Sequence, residues 1–84
     1  MVTQPVHVHL FAAARAAVGQ SVLDVPSGTL AQILSGVERS HPDFASVRGR
    51  CSYLVDEVAV HGDLAEVDVR PGSRVDVLPP FAGG

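Results

Sequence analysis

Lysine is absent from this chain of 84 residues; all six basic side chains are arginine. Against nine acidic residues they leave a net charge of −3, and no basic cluster occurs anywhere. The electrostatic footprint of nucleic-acid binding is therefore missing, and an anionic polymer is not an expected partner. Tryptophan is also absent, and Phe and Tyr together number four. The core must be built from aliphatic side chains. No apolar run approaches the length of a membrane span, and the opening MVTQPVHVH lacks the basic start and long hydrophobic stretch of a secretion signal, so a cytoplasmic location and no membrane partner are expected. With Cys51 the only cysteine, no internal disulfide can form, which fits a reducing compartment. Its place beside Arg50 at a strand entry reads as a small, partly buried thiol rather than a nucleophile.

What is present describes one small globular domain: 46% of residues are hydrophobic and 18% charged. VHVHLF alternates, placing Val6, Val8 and Leu10 on one face and His7, His9 and Phe11 on the other, as in a strand with its aliphatic side inward. AAARAAVG reads as a helical turn closed by Gly19, followed by a second strand at Ser21 to Val25 with Leu23 and Val25 inward. Thr29 is placed to cap a helix reaching Ser40, whose Leu30, Ile33, Leu34 and Val37 recur at i, i+3, i+4 and i+7. Pro42 should end it, by biasing His41 away from helix. Pro42 to Arg50 reads as an irregular connection. CSYLV and VAV flank a tight turn at Asp56-Glu57, and Arg70-Pro71-Gly72-Ser73 is a type II turn. RVDVL is the last strand, stopped by Pro79-Pro80. The order strand, strand, helix, strand, strand, strand describes an α+β domain with one helix crossing a mixed sheet.

Few residues carry chemistry of their own. His7 and His9 share a strand face at a spacing that can hold a metal, but spacing supplies no third ligand, so no metal site is expected. Asp56 and Glu57 are adjacent and normally point apart, as solvated turn residues do. There is no nucleophile elbow and no phosphate loop, and nothing resembles a self-contained enzyme. Phe11 and Leu78 stand out because each is a large apolar residue at outward parity, on the first and last strands. If those strands are neighbours, the two form one docking patch beside the root of a tail that ends in Gly83-Gly84.

The segments VHLFAAARAAVG, LVDEVAV and PGSRVDVLPPFAGG resemble, in matching order over nearly the whole chain, the MoaD/ThiS group of ubiquitin-like sulfur carriers, and within it the small subunits of molybdopterin synthase. The chain departs from that pattern at Asp56, at Gly72-Ser73 and at Phe81-Ala82, none of which touches the chemistry. The resemblance implies a β-grasp fold over residues 1–78, with four to five strands, one main helix and the first and last strands paired in parallel. It implies a tail over residues 79–84. In such carriers an adenylyltransferase of the ubiquitin-activating type attaches AMP from ATP to the terminal carboxylate. A sulfurtransferase or other sulfur source then converts that end, here Gly84, into a thiocarboxylate. The carrier itself binds no cofactor. Pro79, Pro80, Phe81, Ala82 and Gly83 would enter the partner's active site. The implied sulfur acceptor is a synthase such as the large subunit of molybdopterin synthase, with thiamine, cysteine and thiosugar pathways as alternatives. A protein modifier joined through Gly84 is the reading from another class; without lysine, the chain cannot build lysine-linked polymers of itself.

Overall fold

The computed structural model describes residues 4–80. Five strands form one mixed sheet in the order β2-β1-β7-β4-β5: β1 (Val6–Leu10), β2 (Val22–Val25), β4 (Ser52–Val55), β5 (Val58–Ala59) and β7 (Arg74–Leu78). β1 runs parallel to β7 and antiparallel to β2, and β4 runs antiparallel to both β7 and β5. The parallel pairing of the first and last strands puts the last strand at the centre of the sheet, as the sequence resemblance implies.

Burial follows strand parity. Val6, Val8 and Leu10 of β1 and Val75 and Val77 of β7 are buried on the inner face. Helix α2 (Leu30–Ser40) crosses that face through Leu30, Ile33, Leu34 and Val37, all buried, at the expected helical spacing. A capping box starts it: the Gln32 amide donates to Thr29 Oγ1 at 3.1 Å, and the Thr29 amide donates to Gln32 Oε1 at 2.9 Å. The helix ends at Ser40, where Pro42 forbids its continuation. Helix α1 (Ala12–Val18) occupies the expected helical turn and closes with the Gly19 amide donating to Arg15 O at 2.7 Å. Gly72 has φ +84, the conformation that the third position of a type II turn requires, and the Ser73 amide closes that turn onto Arg70 O at 3.0 Å.

Two features depart from the sequence reading. Pro42 to Arg50 is not irregular: a 3₁₀ turn at Pro42–Phe44 leads into α3 (Ala45–Arg48). Its purpose is Phe44, which is completely buried and is the largest of the fully buried side chains. In addition, β3 (Gly28–Thr29) pairs with β6 (Asp68–Val69) in a separate two-stranded sheet that ties the start of α2 to the chain entering β7. Strands of two residues carry no periodicity to read.

Candidate functional site: the sheet end at the tail root

β1 and β7 end side by side. Their parallel register pairs His9 with Asp76 and Leu10 with Val77, so its continuation sets Phe11 beside Leu78. On the other flank Leu78 pairs with Ser52 of β4. The two apolar residues singled out from parity are thus neighbours at the sheet end from which the chain leaves. Phe11 is 40% exposed and Leu78 is half-buried.

The Phe11 backbone is held from both sides. Its amide donates to Val77 O at 3.3 Å, and its carbonyl accepts from the amides of Ala14 (3.0 Å) and Arg15 (3.3 Å). Phe11 itself is extended, at φ −122 and ψ 153, whereas Ala12 has φ +48, a left-handed conformation uncommon for a residue with a side chain. That kink turns the chain abruptly from β1 into α1 and leaves the Phe11 ring at the corner, off the inner core. β7 continues into Pro79, which is buried, and Pro80, which is exposed. The domain therefore grips the chain one residue past the last strand. Phe81, Ala82, Gly83 and Gly84 lie outside the described residues.

Sequence reasoning missed two further apolar members of this outer face. Leu54 of β4 lies opposite Asp76 and is half-buried, while Val22 of β2 lies opposite His9 and is 40% exposed. The signal for Leu54 was its alternation with Tyr53, which is buried on the inner side. Within this apolar surround Asp76 is only 6% exposed, and Arg74 Nε donates to its Oδ1 at 2.7 Å, supplying the partner that a buried carboxylate needs. His7 and His9 also occupy this face, and His7 Nδ1 contacts Asp24 Oδ1 at 2.7 Å. Among the described residues no group of three His, Cys, Asp or Glu comes together at metal-binding distance.

The other titratable candidates are structural. Burial pushes the Cys51 thiol up, with Arg50 opposing, and its Sγ donates to Val47 O at 3.2 Å. The Tyr53 hydroxyl, pushed up to about 12 mainly by burial and then by the neighbouring Cys51, donates to Arg48 O at 2.7 Å. Asp56 and Glu57 turn the chain between β4 and β5 with φ of +48 and +71. The Asp56 carboxylate accepts the Arg74 amide at 2.9 Å and the Ser73 hydroxyl at 2.8 Å, which hold it below the usual carboxylate range. A groove of about 1020 Å³ lies between β2 and α2 and includes none of the residues at the tail root. Among the described residues no helix is long and apolar enough to cross a membrane.

What the sheet end offers is a presentation surface: the chain is delivered outward by the central strand, with apolar side chains around the root of its tail. The same architecture occurs in solved structures. The small archaeal modifier protein 1 (SAMP1) of Methanosarcina acetivorans superposes with a TM-score of 0.83 at 21% identity, with both chains covered in full (100%). A putative molybdopterin converting factor subunit 1 from Pyrococcus furiosus gives 0.78 at 17% identity, covering 94% of this chain and 100% of that one. In Helicobacter pylori, a complex of subunits 1 and 2 of molybdopterin-converting factor contains a chain matching with a TM-score of 0.69 at 15% identity, over 94% of this chain and 97% of that one. The chain matches none of the curated proteins. These likenesses make the fold a ubiquitin-like β-grasp, and because the ThiS family model spans residues 8–84, from within β1 to the final glycine, the chain belongs to the ThiS family of MoaD/ThiS-type ubiquitin-like proteins.

Proposed function

We propose that this chain is a sulfur carrier whose Gly84 is adenylated by a partner enzyme at the expense of ATP and then converted to a thiocarboxylate. The observation that carries this reading is the position of the tail root, where β7 delivers the chain from the centre of the sheet beside Phe11 and Leu78. A free carboxylate is a poor electrophile. Attack of its oxygen on the α-phosphate of ATP releases pyrophosphate and gives a mixed anhydride. Hydrosulfide then adds to the carbonyl carbon, AMP leaves with the bonding electrons, and –COSH remains. A persulfide donor would instead give an acyl disulfide, whose S–S bond a thiol reductant then cleaves to –COSH. The carrier contributes the reacting end, while stabilisation of the transition states belongs to the partner. Pro79, Pro80, Phe81, Ala82, Gly83 and Gly84 together span at most about 20 Å. Two glycines at the tip allow passage through a narrow channel with no Cβ on either wall.

The acceptor we favour is the large subunit of a molybdopterin synthase, because one solved likeness is a complex of subunits 1 and 2 of a molybdopterin-converting factor. The carrier would work in the cytoplasm, beside an adenylyltransferase and a sulfurtransferase. A second reading, conjugation to target proteins through Gly84, is favoured by the likeness to SAMP1. Mass spectrometry separates the two. Incubated with its cognate activating enzyme, ATP and a sulfur source, a carrier exchanges one oxygen for sulfur at Gly84, whereas a modifier accumulates in amide-linked adducts of other proteins. Deleting Gly84 abolishes the sulfur exchange and Cys51→Ser preserves it. A mass gain that survives loss of Gly84, or that maps to Cys51, refutes the carrier reading.

A further inference from the structure

The arginines of this chain divide into two kinds. Arg48 reaches Glu38 at 3.3 Å and Ser35 at 3.4 Å, Arg50 donates to Ser46 O at 3.2 Å, and Arg74 holds Asp76 at 2.7 Å. Arg15, Arg39 and Arg70 are exposed, and among the described residues their guanidinium groups make no hydrogen bond. At those three positions lysine would carry the same charge on the same open surface, so the fork geometry that usually distinguishes arginine is unused. What still separates the two side chains is nucleophilicity. A lysine amine loses its proton near pH 10.4, whereas a guanidinium stays protonated throughout the working range of a protein. The one cysteine is also restrained: the Cys51 thiol is part-buried and engaged with Val47 O.

We propose that the lysine-free surface keeps the chain inert toward its own activated C-terminus, so that the acyl group of Gly84 passes only to the acceptor a partner enzyme presents. The inference rests on the carrier reading above and adds to it a selectivity device made from residue choice. The reaction avoided is aminolysis. A neutral amine adds to the Gly84 carbonyl carbon of the adenylate, a C–N bond forms, and the C–O bond to AMP breaks with its electron pair. The surplus proton passes to water, and no oxidant or reductant is required. Of the three arginines without a hydrogen bond among the described residues, Arg15 is placed at the tail-root end, an end it shares with Arg50, two residues before the Ser52 that pairs with Leu78. Arg15 lies less than one turn into α1, which begins directly after Phe11 at the tail root, and the five residues beyond Pro79 can reach about 17 Å. Arg70 lies beyond the opposite end of β7.

The test uses the full chain as wild type, Arg15→Lys and Arg70→Lys, each incubated with its cognate adenylyltransferase and ATP, with sulfur withheld so that the adenylate persists. Arg15→Lys should accumulate a monomeric product lighter than the unmodified chain by one water, and peptide mapping should find Gly84 joined to the amine introduced at position 15. Its rate should rise about tenfold per pH unit below the amine pKa. Arg70→Lys should give less of the intramolecular product, and wild type none. A parallel reaction with sulfur supplied reports on the carrier reading itself. If wild type and variants all exchange oxygen for sulfur while Arg15→Lys yields no adduct, the inference is wrong and the carrier reading stands. If wild type forms the water-loss product as readily as Arg15→Lys, the inference is also wrong. If no chain exchanges oxygen for sulfur, both fall.

Discussion

Replacing Phe44 by alanine tests the packing of the domain at its most demanding point. The ring is fully buried, between the end of α2 and the start of α3. An aromatic side chain removes about 150–250 Å² from water. At about 25 cal/mol per Å² this corresponds to about 4–6 kcal/mol, close to the ~3–5 kcal/mol usual for a buried Phe→Ala change. A domain of this length is held by about 4–13 kcal/mol, taking ~0.05–0.15 kcal/mol per residue. The substitution therefore removes about a quarter or more of the total. With each kcal/mol worth ~4–8 °C in a domain this small, Tm should fall by at least about 12 °C. Thermal unfolding followed by circular dichroism measures it, with Phe11→Ala as a control of the same chemistry at a 40% exposed site. Phe11→Ala should shift Tm by less than half as much. Equal shifts in the two variants, or an unchanged Tm in Phe44→Ala, would refute the assignment of Phe44 to the core.

Two further outcomes are expected. Phe11→Asp and Leu78→Asp should each weaken binding to the activating enzyme by about 2 kcal/mol, or about 30-fold in Kd, measured by calorimetry on variants that remain folded; unchanged affinity in both would return the patch to ordinary surface. Asp56, held below the usual carboxylate value by Arg74 and Ser73, contributes stability that is present above that ordinary value, about pH 4, and lost as pH falls toward the lowered one. Asp56→Asn, which tolerates the positive φ of this turn, should flatten the fall of Tm below about pH 4, and an acid profile identical to wild type would remove Asp56 from the acid response.

The parts of this fold written in periodicity were legible in the sequence. The inward set Val6, Val8 and Leu10, the α2 stripe from Leu30 to Val37 and the capping residue Thr29 each follow from a local rule that tertiary packing reinforces. The outward parity of Phe11 and Leu78 was legible for the same reason, although their adjacency required the parallel register of β1 and β7. Phe44 was not legible, because a single aromatic in a short turn has no repeat to announce which way it points. Pairing of β3 with β6 was hidden likewise, since two-residue strands exist only by virtue of what they meet. Leu54 and Val22 alternate with the inward Tyr53 and Leu23 and so carried the same outward parity as Phe11 and Leu78, but strands of four residues give little repeat from which to read it.

The central place of β7 has a consequence for how the protein is made. A ribosome releases this chain from the first strand toward the last, yet β1 and β4 have no partner between them until residues 74–78 emerge. Up to that moment the growing chain holds two unconnected halves of a sheet, and the loop joining them must close over most of its length before the middle is filled. The final strand is therefore the keystone, and the tail residues leave the ribosome only after it. A chain cut short by even a few residues before Leu78 loses the core contacts of Val75 and Val77 along with everything that follows them. Fragments of this protein would thus not survive as folded copies of the domain, because the strand that completes the core is the one that leads into the tail.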